Sequence, residues 1–358
     1  MGPAMRISLA LAAVTALGAL CGGLAVAFHH GRGSAGHPAR VGPVAVRRAS
    51  PAPPAGQQAS PAPPGDPAPG YSLSTLNDAS DLTFNQLLGI NNVGHIAGYF
   101  GSGAAGQPNH AYIVRRPYSQ ARYQSLSFPG SAQTELTGLN DRGVQVGFWS
   151  TQDNASGVDN NFGCYLKGGQ FRSVNFPTAD NASPPVNRLL GVNDDDVAVG
   201  FYADAKGSDR GYTYDIATKT FAVVTVTGAR SVVAAAISDS GSVAGFFSTS
   251  AGATEGFVQH ASGQISVLDF PGATMTRALG VNNAGEVVGE YRLGSGRRAR
   301  SHGFAWTQRR GFTTVDGPGG AVDTTINGVN NAGELVGSYV TRGGTTDGLL
   351  ARPLGLRA

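Results

Sequence analysis

Cysteine and lysine are scarce in this chain: its 358 residues include two cysteines, Cys21 and Cys164, and three lysines. Cys21 lies in an N-terminal stretch that reads as an export segment, so a processed chain keeps one thiol and no intradomain disulfide. A disulfide scaffold is thereby excluded, and residues 71–358 are numerous enough to bury a core without one. Charge is also sparse, at 14% of residues, with a formal net charge of +3. Residues 1–70 carry five Arg and one Asp, whereas residues 71–358 carry 21 Lys plus Arg against 22 Asp plus Glu. A nearly neutral body lacks the electrostatic footprint of a nucleic-acid binder. Arginine outnumbers lysine 23 to 3, which with abundant Ala, Gly and Pro reads as genomic base composition rather than recognition. The chain has no Gly-x-Ser-x-Gly elbow, no phosphate-cradling glycine loop opening a helix and no paired metal motif. No catalytic residue set, metal or cofactor is implied.

Repetition is what the chain has in abundance. The phrase Gly-Val-Asn-Asn-Ala-Gly-Glu-Val-Val-Gly at residues 280–289 is one of six varied copies. The others begin Gly89-Ile90-Asn91, Gly138-Leu139-Asn140, Gly191-Val192-Asn193, Ala236-Ile237-Ser238 and Gly328-Val329-Asn330, and successive Asn or Ser residues lie 49, 53, 45, 44 and 48 apart. A repeat of that length is one supersecondary unit that needs its neighbours to bury a core. Each copy reads as a hairpin. The Asn or Ser side chain accepts a hydrogen bond from backbone two residues on, and Gly supplies positive φ where the next strand begins, forming a bulge. Asp196 replaces that Gly with a residue that tolerates the left-handed region.

The rest of the unit follows. A second strand ends in aromatics such as Phe148-Trp149 or Phe201-Tyr202. A third opens with a polar, a small and an apolar residue, as in His302-Gly303-Phe304, and a fourth resembles Ile265–Phe270. Four short strands per unit, bounded by Gly, Pro and Asx turns, predict an all-β fold, a six-bladed β-propeller of four antiparallel strands per blade. The last copy stops after its third strand, and Leu73–Asn77 fits the missing fourth. An N-terminal strand completing the last blade would remove two sheet edges, for which a β-solenoid has no use.

The Gly-Val-Asn-x-x-Gly-x-Val-Val-Gly core followed by His-Gly/Ala-Phe resembles the HAF-type extracellular repeat family. Residues 280–289 with His302-Gly303-Phe304 match it best, and 88–98 with His110-Ala111-Tyr112 come next. The resemblance covers residues 71–353, although four of the six third strands lack the His. It implies an exported, propeller-like repeat protein and carries no catalytic set with it. Repeated Trp-Asp or Gly-Gly signatures of other propeller families are missing.

The ends give the expected address. After Arg6 an uncharged apolar run reaches Phe28 through Ala25-Val26-Ala27, the pattern of a secretory signal cleaved before Phe28 (residues 1–27). An uncleaved anchor is the alternative, since 22 apolar residues can span a bilayer. Residues 28–70 are rich in Pro, Ala and Gly and form a spacer that buries no core, leaving residues 71–358 as the repeat domain. Such a spacer suits release or tethering to a membrane or wall.

Loops joining second to third strands, and fourth strands to the next first strand, differ most between copies, so specific binding is expected on their face. The residues five before each Asn or Ser would open the first strands at that face: Gln86, Glu135, Arg188, Val233, Arg277 and Thr325. A wider ring of third-strand openings adds His110, Arg210, Glu255, His302 and Asp347. A mouth mixing Glu135 with Arg188 and Arg277 suits an anionic or sugar-like ligand. The alternative is a water-filled tunnel with paired charges. His110 and His302 have no third His in an equivalent place, and Asp194-Asp195-Asp196 lacks the alternating ligands of a calcium loop. Arg297, Arg298 and Arg300 with Arg309 and Arg310 are a candidate basic patch or a solvated loop. Cys164 fills a slot that is Ala or Gly in the sister copies, as a buried filler would. The expected function is an exported binding module for an extracellular carbohydrate, peptide or protein. The alternative is an extracytoplasmic hydrolase or lyase with its site at the channel mouth.

Overall fold

The computed structural model describes residues 70–104, 106–153, 160–178 and 181–355. They lie in the second of two units, Gln58–Ala358, the first being Met1–Gln57. The export segment with Cys21, the spacer to residue 69 and residues 154–156, an Asn-x-Ser glycosylation pattern, fall outside the described residues. Among those described, no helix is long and apolar enough to cross a membrane.

The described chain is all-β apart from two single turns of 3-10 helix, Gln120–Arg122 and Gly296–Arg298. After β1 (Tyr71–Thr75), the first set is β2 (Asn85–Ile90), β3 (Ile96–Phe100), β4 (His110–Val114) and β5 (Tyr123–Leu126). The second is β6 (Gln133–Leu139), β7 (Gln145–Ser150), β8 (Phe162–Lys167) and β9 (Gln170–Ser173). The third is β10 (Asn187–Val192), β11 (Val197–Ala203), β12 (Asp209–Asp215) and β13 (Thr220–Val223). The fourth is β14 (Ala229–Ile237), β15 (Val243–Thr249), β16 (Thr254–Gln259) and β17 (Ile265–Leu268). The fifth is β18 (Met275–Val281), β19 (Val287–Leu293), β20 (Arg300–Thr307) and β21 (Gly311–Thr314). The sixth is β22 (Asp323–Val329), β23 (Leu335–Val340) and β24 (Thr346–Pro353).

Each set is an antiparallel sheet in chain order, and one parallel contact, Thr254 beside Met275, links the fourth to the fifth. β1 pairs antiparallel with β24, Leu73 opposite Ala351, and so supplies the fourth strand of the sixth sheet. It begins two residues earlier than the sequence pattern suggested, although Leu76 still donates its N–H to Gly348 at 2.9 Å.

Burial runs in one direction across every sheet. First strands such as β2 and β6 are buried at every residue, whereas the fourth strands β5 and β9 have no buried residue. β2 packs on β6, β6 on β10, β10 on β14, β14 on β18, β18 on β22, and β22 on β2. Each neighbouring pair of sheets shares a hydrophobic cluster. Val146, Tyr165, Leu189 and Tyr212 join the second and third, and Leu87, Ile96, Tyr112, Val336 and Leu350 join the sixth and first. Burying apolar surface between sheets is what holds such units together, since one alone has no second layer to cover its face.

The three glycines of the 280–289 phrase do three different jobs. Gly285 has φ 75° and closes the turn, as Gly94, Gly143, Gly241 and Gly333 do in their copies, with Asp196 at φ 59° in the third. Gly280 lets first strands touch: a Cβ there would lie 3.0 Å from the Cα of Gly328 in the next sheet. Gly289 faces the first strand of its own sheet, where a Cβ would press into the carbonyl of Arg277. The expected bulge is joined by a second one that the sequence did not reveal. Every first strand shifts register three residues before its Asn or Ser, for example between Leu87 and Gly89. Such bulges strengthen local twist.

Candidate functional site

The two ends of the first strands differ in chemistry. At the hairpin end, each Asn or Ser oxygen accepts chiefly from the N–H four residues on, as Asn140 does from Val144 at 2.8 Å; the bond two residues on is made only by Asn193, Asn282 and Asn330. The same side chain also reaches outward. Asn91 donates to the Asn140 carbonyl at 3.0 Å, Asn140 to Asn193 at 2.9 Å and Asn330 to Asn91 at 3.2 Å. The residue after it forms a second series, in which each backbone N–H donates to the side chain of its counterpart in the next sheet. Asn92 bonds Asp141, Asp141 bonds Asp194, Asp194 bonds Asp239, Asp239 bonds Asn283, Asn283 bonds Asn331, and Asn331 bonds Asn92, at 2.8–2.9 Å. These turns surround a cavity of about 70 Å³ that all six copies line. Burial raises the Asp194 carboxyl above its ordinary range, with the charges of Asp239 and Asp141 adding to the rise and the Asp141 N–H opposing it. Among the described residues no cluster of His, Cys, Asp or Glu is arranged to hold a metal.

Above this floor the lining is apolar. Ile90, Leu139, Val192, Ile237, Val281 and Val329 border the same cavity. Leu88, Leu190 and Leu279 two residues earlier are at 4–8% exposure, while Leu87, Leu189 and Ala278 just before those are at 0%. Paired charges therefore do not line a tunnel from end to end. They are confined to the loop end, beyond an apolar middle.

At that end the predicted opening positions converge in part, Glu135 with Arg188 around Tyr99 and Arg277 with Thr325 around Glu290. Gln86 accepts from the Tyr99 hydroxyl at 3.1 Å, and Asn109 donates to Glu135. Burial lifts the Tyr99 phenol well above its ordinary range, Glu135 adding to the rise and Arg188 opposing it, so one tyrosine feels both charges. The Arg188 guanidinium lies 4.3 Å over the Phe148 ring and donates from Nε to Asn161 Oδ1 at 2.6 Å. Arg277 lies 5.0 Å from the Phe246 ring and pairs with Glu290 at 3.2 Å, both side chains buried, and Thr325 donates to the same carboxylate at 3.1 Å. A buried pair of this kind fixes geometry more than it adds stability. Val233 is buried and apolar and contributes no polar group.

The wider ring does not converge. Each member is engaged inside its own sheet or next to it. His110 is exposed with its ring 4.9 Å from Phe100, Arg210 pairs with Asp204 at 2.7 Å, and burial followed by the Asp269 charge raises the Glu255 carboxyl. His302 contacts Asp316 at 2.9 Å and stacks on Tyr291, and Asp347 accepts from Asn77 at 2.8 Å. The candidate basic patch is divided. Arg297, Arg298 and Arg300 stand at the start of β20 and Arg309 and Arg310 beyond its end, roughly 25 Å apart at strand rise. Cys164 is fully buried, and burial pushes its thiol up, as suits a filler. Asp196 pairs with Lys167 at 2.7 Å and accepts from Asn140.

Two members of the convergent group were not legible as candidates. Glu290 stands where the sister second strands carry Tyr99, Phe148, Phe201, Phe246 and Ser338, and that departure was a usable signal. Asp209 opens β12 and is buried. Burial pushes its carboxyl up to about 7, against the opposing charges of Arg188, Arg277 and Arg210 and with that of Asp204. Only the folded chain reveals that a group on β12 feels arginines from β10 and β18.

No protein-family model matches this chain, and no curated protein matches it. Among solved structures it is similar to TolB from Acinetobacter baumannii, at 15% identity and a TM-score of 0.46, over 64% of this chain and 53% of TolB. A streptogramin B lyase matches at 12% identity and 0.43, over 80% and 88%. The Trypanosoma rangeli sialidase in complex with the inhibitor DANA matches at 8% identity and 0.44, over 76% and 55%.

Proposed function

We propose that this chain is an exported, closed six-bladed β-propeller allied to the HAF-type extracellular repeats, acting as a binding module for an extracellular ligand at the Arg188–Arg277 mouth. Closure is supported by the turn series that returns from Asn331 to Asn92, by the sixth-to-first hydrophobic cluster and by the β1–β24 pairing. The observation that carries the binding reading is the gathering of Gln86, Glu135, Arg188, Asp209, Arg277 and Glu290 at the loop end of strands from four sheets. Polar groups are expensive to bury, and a scaffold needs none of them there. An enzymatic reading, hydrolase or lyase, draws support from Asp209, since a carboxyl held at about 7 is poised for proton transfer near neutrality.

Carbohydrate, peptide and protein libraries screened against the purified chain at about micromolar concentration are expected to give a ligand whose binding R188A weakens by about tenfold or more. A ligand insensitive to R188A and to alanine at Gln86 and Glu135 would place binding elsewhere. Turnover of a bound carbohydrate, abolished by D209N while binding persists, would promote the enzymatic reading.

A further inference from the structure

We propose that the group recognised at this mouth is the carboxylate of an acidic saccharide, received by the outer edge of the Arg188 guanidinium; this rests on the binding-module reading above. The charges of three arginines reach Asp209, and two of the three are committed: Arg277 to Glu290 and Arg210 to Asp204. Arg188 has no carboxylate within ion-pair distance among the described residues. Its plane is nevertheless fixed, by the Phe148 ring beneath it and by the bond from Nε to Asn161. Asn161 is itself 1% exposed and anchored through backbone bonds to Pro185 and Asn187. The two terminal nitrogens are therefore presented as a preorganised fork with no protein acceptor among the described residues, and two parallel N–H groups match the two oxygens of a carboxylate. A fork held this way loses little side-chain freedom on binding.

Two further groups indicate what the carboxylate is attached to. Asp209 is buried within reach of the Arg188 charge without pairing to it, and among the described residues no protein group hydrogen-bonds its carboxyl. Asn109 is also buried and donates to Glu135, yet its Oδ1 has no partner among the described residues. These two are side-chain acceptors suited to hydroxyl donors, and a sugar ring carries hydroxyls around its carboxylate. Because the Asp209 carboxyl keeps its proton to about 7, a bound anion next to it would favour the protonated form further. Binding near neutrality is then accompanied by proton uptake.

Titration calorimetry of the full chain with trigalacturonate and with its methyl ester, in two buffers of different ionisation enthalpy at about pH 7, tests this. The acid is expected to bind at least about tenfold tighter than the ester, with proton uptake. R188K keeps the charge but not the fork and should abolish the difference, while D209N should abolish the uptake. If R188K does not fold, N161A, which releases Nε, should weaken the acid and leave the ester unchanged. Equal affinity for acid and ester would overturn the carboxylate assignment and leave the binding-module reading standing. Binding of neither, or a preference for peptide carboxylates over both, would overturn the acidic-saccharide assignment, and the library screen would decide the binding-module reading separately.

Discussion

Replacing Asn140 with alanine removes both halves of a junction between two sheets. Asn140 Oδ1 is the acceptor for the N–H of Val144, and Val144 is 1% exposed, so the truncated turn leaves a buried donor without a partner. An orphaned donor of this kind costs about 1–3 kcal/mol. Nδ2 donates to the Asn193 carbonyl at 2.9 Å and to Asp196 at 3.0 Å. That carbonyl still accepts from the Asp196 N–H, so the second loss is about 0.5–1.5 kcal/mol. Asn140→Ala is therefore expected to destabilise by about 2–4 kcal/mol. The chain contains its own control, because the fourth copy carries Ser238, whose Oγ accepts from Ser242 at 3.2 Å but makes no bond to the next turn. Asn140→Ser should keep the turn bond and lose the inter-sheet one, costing about 1 kcal/mol. Equilibrium urea unfolding followed by circular dichroism measures both. Equal losses for Ala and Ser would refute the division into turn and inter-sheet terms. A loss below about 0.5 kcal/mol for Ala would refute the buried-donor argument itself.

Two further perturbations test the scaffold and the mouth. Gly147→Ala would drive a Cβ into the Glu135 carbonyl and should cost at least about 3 kcal/mol or prevent folding, whereas Gly143→Ala, at φ 84° with open space around it, should cost about 1–2 kcal/mol; similar losses in thermal melts would count against the close-approach account. The raised Asp209 carboxyl makes the folded state bind more protons than the unfolded one between about pH 4 and 7, so stability falls as pH rises through that window. Asp209→Asn should flatten that fall and raise the urea midpoint at pH 8 relative to wild type, and parallel pH profiles would show that Asp209 is not held protonated.

The sequence by itself determined the unit. The spacing of Asn-x-x-Gly phrases, the alternation after them and the aromatic strand ends specify hairpins and four-stranded antiparallel sheets, because turn chemistry and period-two burial are local properties. It also placed Gln86, Glu135, Arg188 and Arg277 at equivalent positions of their first strands, since equivalent positions in repeats occupy equivalent places. What it could not supply is anything that depends on neighbours in space. The row of Asx residues after each Asn reads as turn filler until the next sheet provides its acceptor, and Gly289 reads as a flexible position until the Arg277 carbonyl is found against it. Asp209, Glu290 and the apolar lining around Ile90 and Val281 likewise acquire meaning only when strands from different sheets face one another. Tertiary structure decided that Arg188 is pinned on Phe148 while Arg277 is neutralised by Glu290, because burial and partner choice are set by packing between repeats and not by the repeat itself.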